Sequence, residues 1–235
     1  MSNDYSCRLK AFIPDESAID AYSNSDAGSQ LLDVFQKLPI WLEFLYGLQN
    51  NDESDVLLPS AHSKLLETWV LMPLGLVHSA YNSLRTSIDI ITSYTFYFSH
   101  ESEWRSLCDA RSQWMTRASI MDWHIHHTPN FREFNRHFGL SDRILNIYHE
   151  LSLYVHGIPL TGLPRLESIA RIEISSGVMR KFIDVARSVD EELNLLLLGV
   201  FHEFAYLLAT GDYSTVMGGI DKSKLAKSGI YLPSI

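Results

Sequence analysis

The sequence predicts an all-α protein, an irregular bundle of about six to eight helices. Its clearest period runs through Val178, Phe182, Val185, Val189, Leu193, Leu196, Val200, Phe204 and Leu207. Steps of three and four residues keep that stripe on one face of a helix opening at Ser175 or Ser176. The one strand-like stretch, Ile169 to Ile174 (IARIEI), is too short for a sheet. Composition agrees: 235 residues, 46% hydrophobic and 20% charged, with 12 Gly and 8 Pro, exclude a disordered or collagen-like chain.

Taken in order, residues 1 to about 30 read as a loose arm or short peripheral helices, being mostly polar (SNSDAGSQ at 23–30). Leu31, Leu32, Phe35, Leu38, Leu42, Leu45 and Leu48 form a helical stripe interrupted by Pro39. An acidic linker follows (NNDESD, 50–55). Together these make residues 1–55 an arm with peripheral helices, and 56–235 the helical-bundle domain. Ser60 to Tyr97 reads as two helical pieces separated at Pro73 and Gly75. Glu101 to Met121 carries Trp104, Leu107, Cys108, Arg111, Trp114 and Met115 at helical spacing. His124 to Gly139 reads as a histidine- and aromatic-rich connection containing Pro129. Ser141 or Asp142 then caps a helix running to Val155, and Gly157, Pro159, Gly162 and Pro164 require a loop after His156. Gly211 is the expected stop for the last helix.

With Lys plus Arg at 19 and Asp plus Glu at 28, the formal charge of −9 opposes sequence-independent nucleic-acid binding over the whole surface. Two cysteines, Cys7 and Cys108, supply neither a disulfide framework nor a cysteine zinc site and fit a reducing cytosol. The start carries an early acid and no apolar h-region. The most apolar window, Leu193 to Leu208, is interrupted by His202 and Glu203 and is shorter than the ~20 residues of a membrane span. The expectation is a cytoplasmic protein without a membrane segment.

Two stretches place polar residues where a bundle should be apolar. In AYNSLRTSIDIITSYTFYF (80–98), Arg85 and Asp89 stand four apart and can pair on one helix face. Ser87, Thr92 and Ser93 there permit close helix approach. In YHELSLYVHG (148–157), which opens on Tyr148, Ser152 and His156 are one turn apart, and Gly157 closes the helix. A histidine on the last turn sits at the negative end of the helix dipole, which favours its protonated form.

These segments resemble helical bacterial proteins of the broad HEPN superfamily (higher eukaryotes and prokaryotes nucleotide-binding). The phrase LSLYVHG resembles a variant motif of that superfamily, beside an upstream Leu84-Arg85, Ile88-Asp89 helix. The resemblance covers roughly residues 75–210. It implies a four- or five-helix bundle that commonly dimerises. It also implies either a metal-independent ribonuclease of toxin–antitoxin, abortive-infection or CRISPR systems, or an inactive binding or assembly module. Members of the superfamily typically show an Arg or other polar residue, four to six positions, then a His near a helix end. Here Glu150, Leu151 and Ser152 precede His156 at that spacing. Arg143 and His149 meet the spacing but fall on different helix faces.

The reading placed first is therefore a HEPN-like interaction or assembly subunit of a bacterial defence system, without catalysis of its own. Its partner would be a second copy or a protein of the same operon. The alternative is an endoribonuclease with RNA as substrate. In it His156 would act as general acid or base on a ribose 2′-hydroxyl and Arg85 would stabilise the phosphorane charge; Asp89, Ser152 and Tyr148 would complete the polar cluster. No cofactor and no metal are expected: Asp122, His124, His126, His127 and His137 lack a His-Glu-x-x-His or paired-carboxylate context and read as an exposed histidine loop. Tyr94, Phe96, Tyr97 and Phe98 read as core or dimer-interface aromatics, and Glu191 with Glu192 as solvated. Ser152 lacks the nucleophile elbow of a serine hydrolase.

Overall fold

The computed structural model describes residues 30–31, 33–48, 53–156 and 176–232. Among them the chain forms ten α-helices: α1 (Leu38–Leu48), α2 (Leu57–Leu71), α3 (Val77–Tyr97), α4 (Glu101–Cys108), α5 (Arg117–His127), α6 (Phe131–Phe138), α7 (Leu140–Val155), α8 (Ser176–Phe201), α9 (Thr210–Met217) and α10 (Lys222–Lys227). Two 3₁₀ turns, Glu53–Val56 and Ala205–Leu207, precede α2 and follow α8, and the described residues contain no strand. The all-α class holds, with more and shorter helices than the apolar pattern predicts. The arm over 1–29, the loop after His156 and the strand-like 169–174 lie outside the described residues.

Helix α3 is the axis of the bundle. Fourteen of its 21 residues are buried, and α2, α7 and α8 all pack against it. Small side chains make this approach feasible: Ser87, Thr92 and Ser93 are buried on α3. The aromatic run resolves as core, because Tyr94, Phe96 and Tyr97 are buried and Phe98 packs its edge on Phe201 of α8, centroids 4.9 Å apart.

The break between α2 and α3 falls where expected. Gly75, at φ +74°, occupies the left-handed position of a Schellman cap. Its amide donates to the Met72 carbonyl and that of Leu76 to Leu71. Pro39 does not interrupt its helix; it lies in the first turn of α1, where its missing N–H costs no intrahelical bond. Nor is α1 peripheral: Leu38, Trp41, Leu42 and Leu45 are buried in the common core. The acidic linker likewise ends in a structured turn, with Ser54 and Asp55 buried.

Three further expectations need correction. The helix expected over Glu101 to Met121 stops at Cys108, where Ala110 takes φ +54° and closes another Schellman cap through Arg111 N–H to Ser106 and Ala110 N–H to Leu107. It restarts at Arg117, capped by Thr116 Oγ1 accepting from the Ser119 amide. The 124–139 connection is largely helical: α6 buries Phe131, Phe134 and Phe138 between Asn130 (φ +61°) and Gly139 (φ +64°). Helix α8 ends at Phe201 rather than near Leu208, and Gly211 lies inside α9 rather than stopping a helix. Gly199 lets α6 rest on α8, since a Cβ there would meet the Phe134 ring at 2.8 Å.

Candidate functional site

Antiparallel packing of α7 on α3 sets the polar residues against one another. At one end His78 Nδ1 bonds the Tyr154 carbonyl (2.8 Å) and the Tyr81 and Tyr154 rings stack at 4.0 Å. Two turns further along α3, Arg85 donates to the Tyr148 hydroxyl, which in turn donates to Asp89 Oδ2 (3.3 Å).

A residue the sequence argument overlooked completes the cluster. Arg117, from the first turn of α5, donates to Asp89 Oδ1 at 2.5 Å and lies against the Tyr148 ring, its guanidinium carbon 3.0 Å from the centroid. The Arg85 guanidinium also sits over that ring, at 4.4 Å. Tyr148 of α7 thus joins two cations and a carboxylate from α3 and α5, combining cation–π contact with charge-assisted hydrogen bonds. The Arg85–Asp89 pair expected from their spacing does not form directly: Asp89 takes Arg117 as its ionic partner. No signal in the α5 sequence distinguishes Arg117 from a solvated arginine, because its partner is 28 residues away.

Ser152 and His156 stand apart from this cluster. The Ser152 hydroxyl donates to the Tyr148 carbonyl one turn back (2.8 Å), an intrahelical bond. His156 caps α7 through its backbone amide, which donates to the Ser152 carbonyl, and its residue is exposed. Eight positions separate it from Tyr148, about 12 Å along the axis. The Arg143–His149 alternative fails geometrically, because Arg143 reaches across to Glu192 of α8. That bond corrects the solvated reading of Glu192, which is buried. Burial pushes its carboxyl above the usual carboxylate range, against the pull of Arg143.

The histidine-rich stretch is the last turn of α5, and one of its members is core. His124 is 1% exposed, between Thr95 and Thr128. The Thr95 hydroxyl already donates to the Thr92 carbonyl (2.7 Å). His124 Nε2–H therefore donates to Thr95 Oγ1 (2.9 Å), and Nδ1 accepts from the Thr128 hydroxyl (2.7 Å). Burial lowers this imidazole to about 4, so it is neutral at ordinary pH. His126 is exposed and bonds the Asp122 carbonyl, and His127 tilts over Trp123. Among the described residues no three His, Cys, Asp or Glu side chains form a group able to hold a metal ion.

Elsewhere the structure holds a buried polar centre that the sequence argument missed. Asp190 of α8 accepts from the amides of Gln36, Lys37 and Leu38, which places its carboxylate on the N-terminus of α1. One turn on, Asn194 accepts from the Trp41 indole (2.8 Å) and donates to the Val216 carbonyl (2.9 Å). These bonds tie α1, α8 and the C-terminal end of α9 together. No helix among the described residues is long and apolar enough to cross a membrane. No known family model, curated protein or solved structure matches the chain.

Proposed function

We propose that this chain is a helical interaction or assembly subunit without catalysis of its own. One observation carries the reading: the polar residues that RNA cleavage would use are committed to holding helices together. Arg85, Tyr148 and Asp89 bond one another and Arg117 across α3, α5 and α7, while His156 lies exposed about two turns from Tyr148. General acid–base chemistry needs a cation and a proton-transfer group around one reacting phosphate.

A partner surface is available in the turn after α8. Phe204, Tyr206 and Leu207 are 36%, 56% and 49% exposed within four consecutive positions. A concentration of large apolar side chains in one turn is a feature of contact surfaces, whereas scattered ones are ordinary. The resemblance of YHELSLYVHG to HEPN proteins supports placing the subunit in a bacterial defence assembly, as a homodimer or beside a protein of the same operon.

One specific observation favours the ribonuclease alternative: His156 is an exposed residue at the C-terminal end of α7. The two readings separate cleanly. Purified protein incubated with single-stranded RNA in EDTA should leave the RNA intact. Metal-independent cleavage that disappears in His156→Ala would replace the assembly reading with the ribonuclease one. Sedimentation at micromolar concentration should show self-association that Tyr206→Asp abolishes; a monomeric wild type would remove the homodimer and leave the operon partner.

A further inference from the structure

Helices α9 and α10, with the residues that follow them, enclose a cavity of about 440 Å³. That lies within the ~300–1,000 Å³ common for small-molecule sites. Its floor is apolar, formed by the buried Leu225 and Ile230, with Met217 alongside. Methionine adapts its shape to a variable apolar body. Tyr213 and Tyr231 contribute aromatic rings, the second 81% exposed.

Charge decides the polarity of the guest. The chain has 28 acidic residues against 19 basic ones, yet none of the residues lining this cavity is acidic and Lys222 is a lining residue. A second ammonium stands at the rim, where Lys37 Nζ donates to the carbonyl of the lining residue Gly218 (3.0 Å). The nearest carboxylates in sequence are turned elsewhere. Asp221 Oδ1 accepts from the Ser223 and Lys224 amides as the cap of α10. Asp212 falls on the face of α9 opposite the lining positions 210, 213, 214 and 217, by the helical step of ~100° per residue. An ammonium beside an apolar floor, with no carboxylate in the lining, favours a ligand with one anionic head and an apolar body.

We propose that this cavity binds a small amphipathic carboxylic acid. Its apolar body rests on Met217, Leu225 and Ile230, and its carboxylate pairs with Lys222. The site is separate from the Arg85–Tyr148 cluster and independent of the assembly reading.

Titration calorimetry of the full chain tests this with decanoate for an aliphatic body, 3-phenylpropionate for an aromatic one, and decanol as the uncharged control. At least one acid should bind with one site per chain, and the better probe identifies the body. Lys222→Glu, on an exposed side chain, should weaken that binding roughly tenfold or more. Met217→Trp, which fills the cavity, should abolish it, and if that variant misfolds by circular dichroism, Lys222→Glu alone decides. The proposal is overturned if neither acid binds up to about 1 mM. It is equally overturned if binding takes many sites per chain, if decanol matches decanoate, or if Lys222→Glu binds like wild type.

Discussion

Ala110 shows how a single residue can end a helix without announcing it. A left-handed conformation costs an L-residue roughly 1–2 kcal/mol, and glycine escapes that cost. Ala110 accepts it at φ +54° because the cap satisfies the last carbonyls of α4. Ala110→Gly should therefore stabilise the protein by about 0.5–1 kcal/mol, after allowing for the extra unfolded-state freedom of glycine. Urea denaturation with an unchanged m-value would measure it, and a loss of stability would show that the strain is not there. At the same scale, Tyr148 matters more as a platform than as an acid. Its ring carries two guanidinium groups and its hydroxyl links Arg85 to Asp89.

Among the elements, α1 depends on a cap it does not contain. Most helices find their first acceptor in the residue just before them, whereas α1 uses Asp190, more than 150 positions away on α8. Burial pushes the Asp190 carboxyl above the usual carboxylate range, while three amide hydrogens pull it back. Asp190→Ala would leave those amides without an acceptor and should cost about 2–4 kcal/mol. Hydrogen exchange should then show α1 opening before α3, which keeps its packing. Equal loss of protection in both helices would show that Asp190 supports the whole core rather than α1.

For the whole molecule, acid stability follows from opposed buried groups. Unfolded, His124 takes a proton as the pH falls through 6.5; folded, it stays neutral down to about 4. The unfolded state therefore binds more protons between those values, and stability is lost as the pH is lowered across that window. Asp190 and Glu192, both raised by burial, work the other way, because the folded state takes up their protons first on acidification. The His124 contribution is isolated by comparison with His124→Gln, which can still bond both threonines. Between pH 7 and pH 4, wild type should lose about 3 kcal/mol relative to that variant. Parallel stability curves would mean that His124 takes up its proton alike in the folded and unfolded states.

What the sequence by itself determined was local and periodic. The all-α class, the helix opening near Ser176, the α2–α3 break at Gly75 and the helix ending at Val155 follow from helical spacing and from glycine or proline chemistry acting within a few residues. Helix α6 was not read, although Phe131, Phe134 and Phe138 have helical spacing within FREFNRHF, because the surrounding histidines and Pro129 suggest a connection. The candidate site was half legible. Arg85, Asp89 and Tyr148 stood out as polar residues on apolar helices, but their bonding pattern did not. The tertiary structure decided which partner each took: Arg117 rather than Arg85 for Asp89, Glu192 for Arg143, and Thr95 with Thr128 for His124. It also decided that α8 stops at Phe201 although its apolar period continues, and that α1 belongs to the core. The physical reason is common to all of these. Periodicity reports which face of a helix is apolar, whereas a buried charge or amide is satisfied by whichever group the packing brings within about 3 Å, and that group is often far away in the chain.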